Sequence, residues 1–254
     1  MELKRDQTRL SYELKGQGDK TFVFIHGVGG DHTHLAPLSD HFARQAKTLS
    51  VDLRGHGQSD KPVQEYSMEG YAEDIHWLCQ SLKISHPVLV GFSMGGTIAL
   101  QVASSHPTFP AAVIVLDSPL FFSEQVTQAL HYFLSLLHQD PYHSGIQHIL
   151  EGGSLPTDQH KGFVARSLFS TPKHVWTSSF SHMIHWDQQT TERLKTCQMP
   201  LLYVEAANQL ADLLRFKEAC PQLMHGKVIG SGHFVGLEAP AQVIAMIEQF
   251  LTLY

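Results

Sequence analysis

The sequence VLVGFSMGG at residues 88–96 contains a G-x-S-x-G motif directly after a short apolar run. That run, 88–90, is rich in β-branched residues, which is typical of a parallel strand buried on both faces. The residues after the motif, 97–103, are helix-like. Glycines around Ser93 permit a sharp strand-to-helix turn that exposes the serine hydroxyl, and the helix amino end adds positive potential there. The sequence therefore predicts a nucleophilic serine at position 93.

Strands and helices are predicted to alternate on both sides of this turn. Short apolar or alternating runs between turn residues predict strands at 8–14, 22–25, 48–53, 112–116 and 201–204, with a weaker candidate at 224–229. Helical spacing of apolar residues predicts helices near 71–82 and 243–251. Such alternation favours a mostly parallel sheet covered on both faces.

The segment 119–190 interrupts this alternation. It is rich in aromatic residues at helix-like spacing and has no convincing strand pattern. We interpret it as a helical cap inserted after the sixth strand, over the carboxyl edge of the sheet where α/β folds bind ligands. The predicted core then comprises residues 1–118 and 191–254.

Composition restricts the class of protein. The chain has 254 residues, 43% of them hydrophobic, and a formal net charge of −6. We therefore expect one large domain with a sizeable core, and no affinity for nucleic acid or an anionic membrane. The first residues lack a signal-peptide pattern, so we expect a cytoplasmic protein. The three cysteines form no C-x-x-C pair and predict neither a disulfide framework nor a zinc site. The sequence leaves the oligomeric state open.

A second glycine-rich turn, HGVGG at residues 26–30, follows the second predicted strand. Glycines there allow backbone N–H groups to converge on one small oxygen atom. We predict that the amides of Val28 and Met94 form an oxyanion hole, and that His26 supports the loop without taking part in the chemistry.

With these two turns, the chain resembles the α/β-hydrolase superfamily over nearly its whole length outside the cap. DLRGHGQS at 52–59 is similar to a structural loop of that family, and GSGHF at 230–234 is similar to the segment that carries its catalytic histidine. The resemblance implies an α/β-hydrolase fold, with a mostly parallel eight-stranded sheet and helices on both faces. It also implies that His233 is the base for Ser93, and the chain order is that of the family.

The catalytic acid departs from the family pattern. The family places an aspartate shortly after the seventh strand, but this chain has Gln209 there. Asp117, at the end of the strand after the nucleophile, is the preferred substitute, because some family branches keep their acid at that position. Asp212 and Glu205 are the alternatives, and a helix-capping role for Asp117 is the competing structural explanation.

The aromatic and apolar residues of the cap predict an apolar pocket, and we propose Trp186 and His185 as pocket residues. Eight of the 18 histidines lie in the cap, but no metal-binding motif accompanies them, so we expect neither a metal nor a cofactor. The resemblance implies a serine hydrolase acting on small-molecule esters, lactones or related acyl compounds. Two alternatives stay open. One is a cofactor-independent His–Asp ring-cleaving dioxygenase or a C–C hydrolase on the same fold, and the other is a weakly catalytic ligand receptor.

Overall fold

The computed structural model describes residues 1–152 and 158–254, and its strands form one eight-stranded sheet. The order across the sheet is β1-β2-β4-β3-β5-β6-β7-β8. The strands β1 and β2 pair antiparallel, as do β2 and β4, and every later pairing is parallel. The bounds are β1 (Glu2–Arg5), β2 (Thr8–Lys15), β3 (Thr21–Ile25), β4 (Lys47–Val51), β5 (Val88–Phe92), β6 (Ala112–Leu116), β7 (Leu201–Glu205) and β8 (Leu223–Lys227).

Helices connect these strands and form the cap. The helices of the core are α1 (Ala36–Phe42), α2 (Met68–Ser81), α3 (Met94–Ser105), α9 (Leu213–Ala219), α10 (Val235–Glu238) and α11 (Pro240–Leu251). The helices between β6 and β7 are α4 (Glu124–His138), α5 (His143–Gly152), α6 (Asp158–Ser170), α7 (Lys173–Asp187) and α8 (Thr190–Leu194). A 3₁₀ turn, His32–Leu35, precedes α1.

The central strands show why their sequences are continuously apolar. Every residue of β3, β5, β6 and β7 is buried, because helices cover both faces of the parallel part of the sheet. The edge strand β8 has only its first residue, Leu223, buried, and the rest of the strand alternates between half-buried and exposed residues. The carboxyl ends of β3, β5, β6 and β7 therefore meet at one edge, where the loops after these strands can share a site.

The described residues between β6 and β7 form no strand, in keeping with a helical cap over 119–190. Residues 153–157 of that predicted cap lie outside the described residues, and its two boundaries stay a prediction. The cap contacts the core through side chains: Tyr71 Oη and Ser179 Oγ are 2.8 Å apart, and the Tyr66 amide donates to Ser178 Oγ at 2.8 Å. No helix in the described ranges is both long and apolar enough to cross a bilayer.

The turn after β5 brings α3 unusually close to the sheet. A Cβ at Gly95 would overlap the carbonyl oxygens of Ile25 and His26, and a Cβ at Gly96 would overlap the Ser118 hydroxyl. The atoms at Gly95 belong to the backbone and cannot yield as a flexible side chain would, and those at Gly96 belong to the buried side chains of Ser118 and Val115. The two glycines are therefore required by the close approach of α3 to β3 and β6.

We expect Gly95→Ala to destabilise the protein by about 3 kcal/mol, because the added methyl group forces the backbone apart. The matched control is Gly162→Ala in α6, where a Cβ would have no neighbour within 4 Å. That change is expected to leave stability equal or raised by up to about 1 kcal/mol, since alanine favours the helix. Urea unfolding followed by tryptophan fluorescence measures both. Equal stabilities for the two variants would contradict the packing argument.

Candidate active site

Ser93 lies in a strained turn between β5 and α3. Its φ is 52° and its ψ is −124°, a conformation that L-residues rarely adopt. Its amide donates to the Leu116 carbonyl at 2.9 Å, and the Ser118 hydroxyl donates to the Ser93 carbonyl at 2.6 Å. The end of β6 therefore holds the turn from both sides, which compensates for the strain at the candidate nucleophile.

Asp117 is the carboxylate that contacts the His233 ring. Its Oδ2 lies 2.7 Å from His233 Nδ1, and its Oδ1 accepts the Ala206 amide at 2.9 Å. Asp117 is 1% exposed, while the side chain of His233 is 26% exposed. The structure thus brings together the histidine and the acid predicted from the sequence. The segment after β7, where the family pattern places its acid, contributes instead the Ala206 amide that donates to Asp117.

The alternative acids are engaged elsewhere. Asp212 caps α9 by accepting the Arg215 amide at 3.1 Å. Glu205 lies 3.3 Å from His225 Nε2 and 3.4 Å from Lys227 Nζ. These contacts favour Asp117 over both alternatives.

Glu238 holds the loop that carries His233, a role that sequence reasoning missed. Its carboxylate accepts the amide of Gly232 at 2.6 Å and the amide of Phe234 at 3.0 Å. The amides on both sides of His233 are therefore fixed from the end of α10. The sequence signal for this role was the position of Glu238, four residues after Phe234 and at the end of a short helical turn.

Ser93 and His233 line the same cavity. In the described part of the chain no hydrogen bond joins Ser93 Oγ to the imidazole. Since Nδ1 of His233 is bound to Asp117, Nε2 is the ring atom left for the serine or a substrate. Such hydrogen bonds often tighten only when a substrate is bound.

The loop after β3 adopts the geometry expected of an oxyanion loop. His26 Nε2 accepts the Leu53 amide at 3.1 Å, so its Nδ1 carries the proton and donates to the Gly27 carbonyl at 2.7 Å. Burial lowers the pKa of His26 and keeps this ring neutral. Val28 lines the cavity, and Met94 is the first residue of α3. Among the described residues neither of these two amides donates to another protein group, which leaves both for a substrate oxygen.

The DLRGHGQS loop supports this region structurally. Asp52 accepts the amides of His32 and Gln58 at 2.8 Å each, and lies 2.7 Å from His32 Nδ1. Burial opposes ionisation of Asp52, but the hydrogen bonds from the His32 side chain and these amides outweigh it and lower its pKa to about 2. Arg54 binds both carboxylate oxygens of Asp74, at 2.8 and 2.7 Å. The loop after β4 is thus tied both to the 3₁₀ turn and to α2.

The cavity over Ser93 has a volume of about 360 Å³ and a mostly apolar lining. Its polar side chains include His34, which sequence reasoning did not select. His34 Nε2 lies 2.6 Å from Ser167 Oγ of the cap, and burial lowers its pKa to about 4. The described residues that line the cavity are Gly27, Val28, His34, Phe92, Ser93, Asp117, Pro119, Val126, Ala129, Leu130, Phe133, His148, Ile149, Leu168, Phe180, Met183, Ala206, Asn208, Leu210, Gly232, His233 and Phe234.

Trp186 and His185 lie outside this lining, which argues against their prediction as pocket residues. The Trp186 indole donates to Gln101 Oε1 at 2.6 Å, and the Arg193 guanidinium lies 5.5 Å from its ring. Trp186 therefore packs the end of α7 onto α3. His185, on the same helix, is exposed. The cap side chains that α7 does present to the cavity are Phe180 and Met183.

One group of potential metal ligands occurs in the described ranges, and it lies outside the cavity. Atoms of Glu73, His76 and His106 lie within 4.8 Å of one another. The two imidazoles are stacked, with ring centroids 3.7 Å apart and planes 22° apart. Nitrogen lone pairs lie in the ring planes, so those of stacked rings run side by side and do not converge on one ion.

This chain is similar to known hydrolases. A family model described as alpha/beta hydrolase fold matches residues 20–240. A 2-(acetamidomethylene)succinate hydrolase from Mesorhizobium japonicum is 32% identical over 48% of this chain and 43% of its own length. A putative esterase/lipase from Haemophilus influenzae is 25% identical over 90% of this chain and 82% of its own. The solved structure of an enol-lactonase from Burkholderia xenovorans has a TM-score of 0.86 and 18% identity, covering 99% of this chain and 100% of that one.

The His32–Asp52 contact predicts a pH-dependent contribution to stability. The hydrogen bond to Asp52 raises the pKa of His32 above its ordinary 6.5, although burial opposes it. The stabilisation is then fully present below pH 6.5 and is lost as the pH rises through the folded-state pKa. The stability advantage of the native protein over His32→Gln is expected to be larger at pH 5.5 than at pH 9. Urea unfolding at both pH values measures it.

The control for this prediction is the same comparison in an Asp52→Asn background, where the pH dependence should disappear. An advantage that grows between pH 5.5 and pH 9 would contradict the assignment.

Proposed function

We propose that this chain, which belongs to the α/β-hydrolase family and is a hydrolase, cleaves small-molecule esters, lactones or related acyl compounds through an acyl-enzyme. One observation carries the proposal: Ser93, in its strained turn, and the His233–Asp117 pair line one apolar cavity. A hydroxyl nucleophile, an imidazole base and an orienting carboxylate at one site are the requirements of serine acyl transfer.

The proposed reaction follows from the positions of these groups. His233 Nε2 accepts the Ser93 proton as Oγ attacks the substrate carbonyl carbon, and the amides of Val28 and Met94 stabilise the resulting oxyanion. Asp117, at 2.7 Å from Nδ1, keeps that nitrogen protonated and stabilises the imidazolium. The imidazolium then protonates the departing alkoxide, and water, activated by the same histidine, hydrolyses the acyl-enzyme.

The comparisons support the ester and lactone class in general terms. One curated relative is named as a putative esterase/lipase, and one structural neighbour is an enol-lactonase. The 2-(acetamidomethylene)succinate hydrolase aligns with this chain over only 43% of its own length. The cavity of this chain is therefore the better guide to its substrate.

A second candidate reaction is favoured by one observation: the acid follows β6, at Asp117, and pairs with His233. A cofactor-independent ring-cleaving dioxygenase uses such a pair to deprotonate an aromatic substrate, with the serine secondary. A C–C hydrolase or a weakly catalytic receptor would retain the same site geometry. Removing the Ser93 hydroxyl separates the dioxygenase from an esterase, and covalent labelling of Ser93 separates the receptor.

Ser93→Ala is expected to lower kcat for p-nitrophenyl ester hydrolysis by at least about 10⁴-fold, because no acyl-enzyme can form. A fluorophosphonate probe should add once to the native chain, and to no residue of the variant, as read by intact mass. A dioxygenase would instead keep much of its turnover in the variant and consume oxygen with an aromatic substrate. An unlabelled native chain would favour the receptor.

Asp117→Asn is expected to lower kcat by about 10³- to 10⁴-fold, because the amide neither fixes the His233 tautomer nor stabilises its cation. Asp212→Asn is the matched control, since asparagine also caps a helix well and α9 should be retained. Steady-state kinetics on one ester compares the two. A larger loss in Asp212→Asn would assign the acid to the loop after β7.

A further inference from the structure

The cap helix α4 presents an apolar stripe to the cavity. Val126, Ala129, Leu130 and Phe133 recur at i, i+3, i+4 and i+7, and all four line the cavity that contains Ser93. Residues at this spacing share one face of a helix. The outward positions of the same helix carry polar residues such as Glu124 and Gln128. The helix is therefore amphipathic, and the cavity lies against its apolar face.

This stripe is not fully packed by protein. Of its members only Phe133 is buried, while Ala129 is exposed and Val126 and Leu130 are partly exposed. An apolar helix face in a cap is normally covered by the layer beneath it. Here part of it remains accessible to whatever enters the cavity, so an apolar ligand would gain free energy by covering it.

Apolar side chains from the other cap helices complete this wall. Phe133 and Phe180 have ring centroids 4.6 Å apart, and Met183 lies one turn after Phe180 on α7. Ile149 of α5 and Leu168 of α6 also line the cavity. The cap side of the cavity is thus formed mostly by aliphatic and aromatic surface, with His148 of α5 as the one imidazole that the described part of the cap adds to it.

Charge is sparse in the same lining. Among the described residues that line the cavity there is no lysine, arginine or glutamate, and the one aspartate, Asp117, is bound by His233 and the Ala206 amide. His34 stays neutral at physiological pH, because burial lowers its pKa to about 4. A carboxylate on the acyl part of a substrate would lose water there and find no lysine or arginine among the described lining residues to pair with.

Resting on the proposed function, we infer that the α4 stripe binds the acyl chain, and that the substrates are esters or lactones of uncharged, apolar acyl groups. The volume of about 360 Å³ lies at the lower end of the roughly 300–1,000 Å³ of ligand pockets, which suits chains of moderate length. The α4 stripe then sets both chain length and charge selectivity.

A matched pair of substrates tests this inference. From p-nitrophenyl acetate to the hexanoate, kcat/KM should rise about three- to fourfold for each added methylene. The mono-p-nitrophenyl ester of adipic acid has the same acyl length as the hexanoate but ends in a carboxylate, and its kcat/KM should be at least about 50-fold lower than that of the hexanoate. A preference for acetate, or equal rates for the adipate and hexanoate esters, would overturn the inference.

Variants on two faces of α4 locate the effect. Leu130→Lys places a cation in the cavity and should raise the adipate-to-hexanoate ratio of kcat/KM at least about tenfold. Gln128→Lys makes the same substitution on the exposed face of the same helix and should leave that ratio unchanged. Ala129→Trp should lower the hexanoate-to-acetate ratio by filling the accessible part of the stripe. If Leu130→Lys and Gln128→Lys have the same adipate-to-hexanoate ratio of kcat/KM, the α4 stripe does not bind the acyl chain.

Binding to a Ser93→Ala variant separates this inference from the proposed reaction. Isothermal titration should detect methyl hexanoate and give at least tenfold weaker binding for monomethyl adipate. Absence of this difference overturns the inference. Selective binding of methyl hexanoate, together with no ester turnover by the native chain, supports the inference and instead overturns the proposed hydrolysis.

Discussion

The site depends on the close approach of α3 to the sheet at the turn after β5. That approach leaves no space for a side chain at Gly95 or Gly96, and it holds Ser93 at a positive φ. The strain is balanced by contacts from the end of β6, where the Leu116 carbonyl and the Ser118 hydroxyl bind the Ser93 backbone. The nucleophile and the strand that carries the acid are therefore parts of one packed unit.

This arrangement explains why Asp117 can replace the acid expected after β7. The strands β5, β6 and β7 are adjacent and parallel, so their carboxyl ends lie side by side. An aspartate at the end of β6 is one strand closer to Ser93 than an acid after β7 would be. The Ala206 amide at the end of β7 stabilises the relocated carboxylate. The substitution at Gln209 is thus compatible with a complete serine, histidine and acid set.

Local sequence patterns predicted most of the sheet and the turn at Ser93, because both are governed by short-range rules. Continuous apolar runs located β3, β5, β6 and β7, the glycine-rich turn predicted Ser93 as the nucleophile, and the family resemblance implied His233 as its base. The strand β1 has the polar sequence ELKR and burial no deeper than intermediate, so no hydrophobic pattern marked it. Its position is set by antiparallel pairing with β2.

The cap side chains were harder to predict, because their roles depend on tertiary contacts. Aromatic character alone suggested Trp186 for the pocket, yet Gln101, far away in sequence, draws its indole toward α3. The stripe on α4 follows helical spacing and was readable in principle. Its position in the wall of the cavity that contains Ser93 depends on the packing of α4 against α7, which the sequence does not show.

The cap contacts the loop after β3, which carries the predicted oxyanion amide of Val28. The Trp176 ring packs so closely on Gly29 that no Cβ could be accommodated there, and Thr171 Oγ1 donates to the Gly29 carbonyl at 3.3 Å. His34, just after this loop, contacts Ser167 of α6. Gly29 is adjacent to Val28, whose amide is assigned to the oxyanion hole. The backbone next to the proposed oxyanion amide is therefore held by the cap as well as by the sheet, so the loop after β3 and the segment from α6 to α7 pack as one unit.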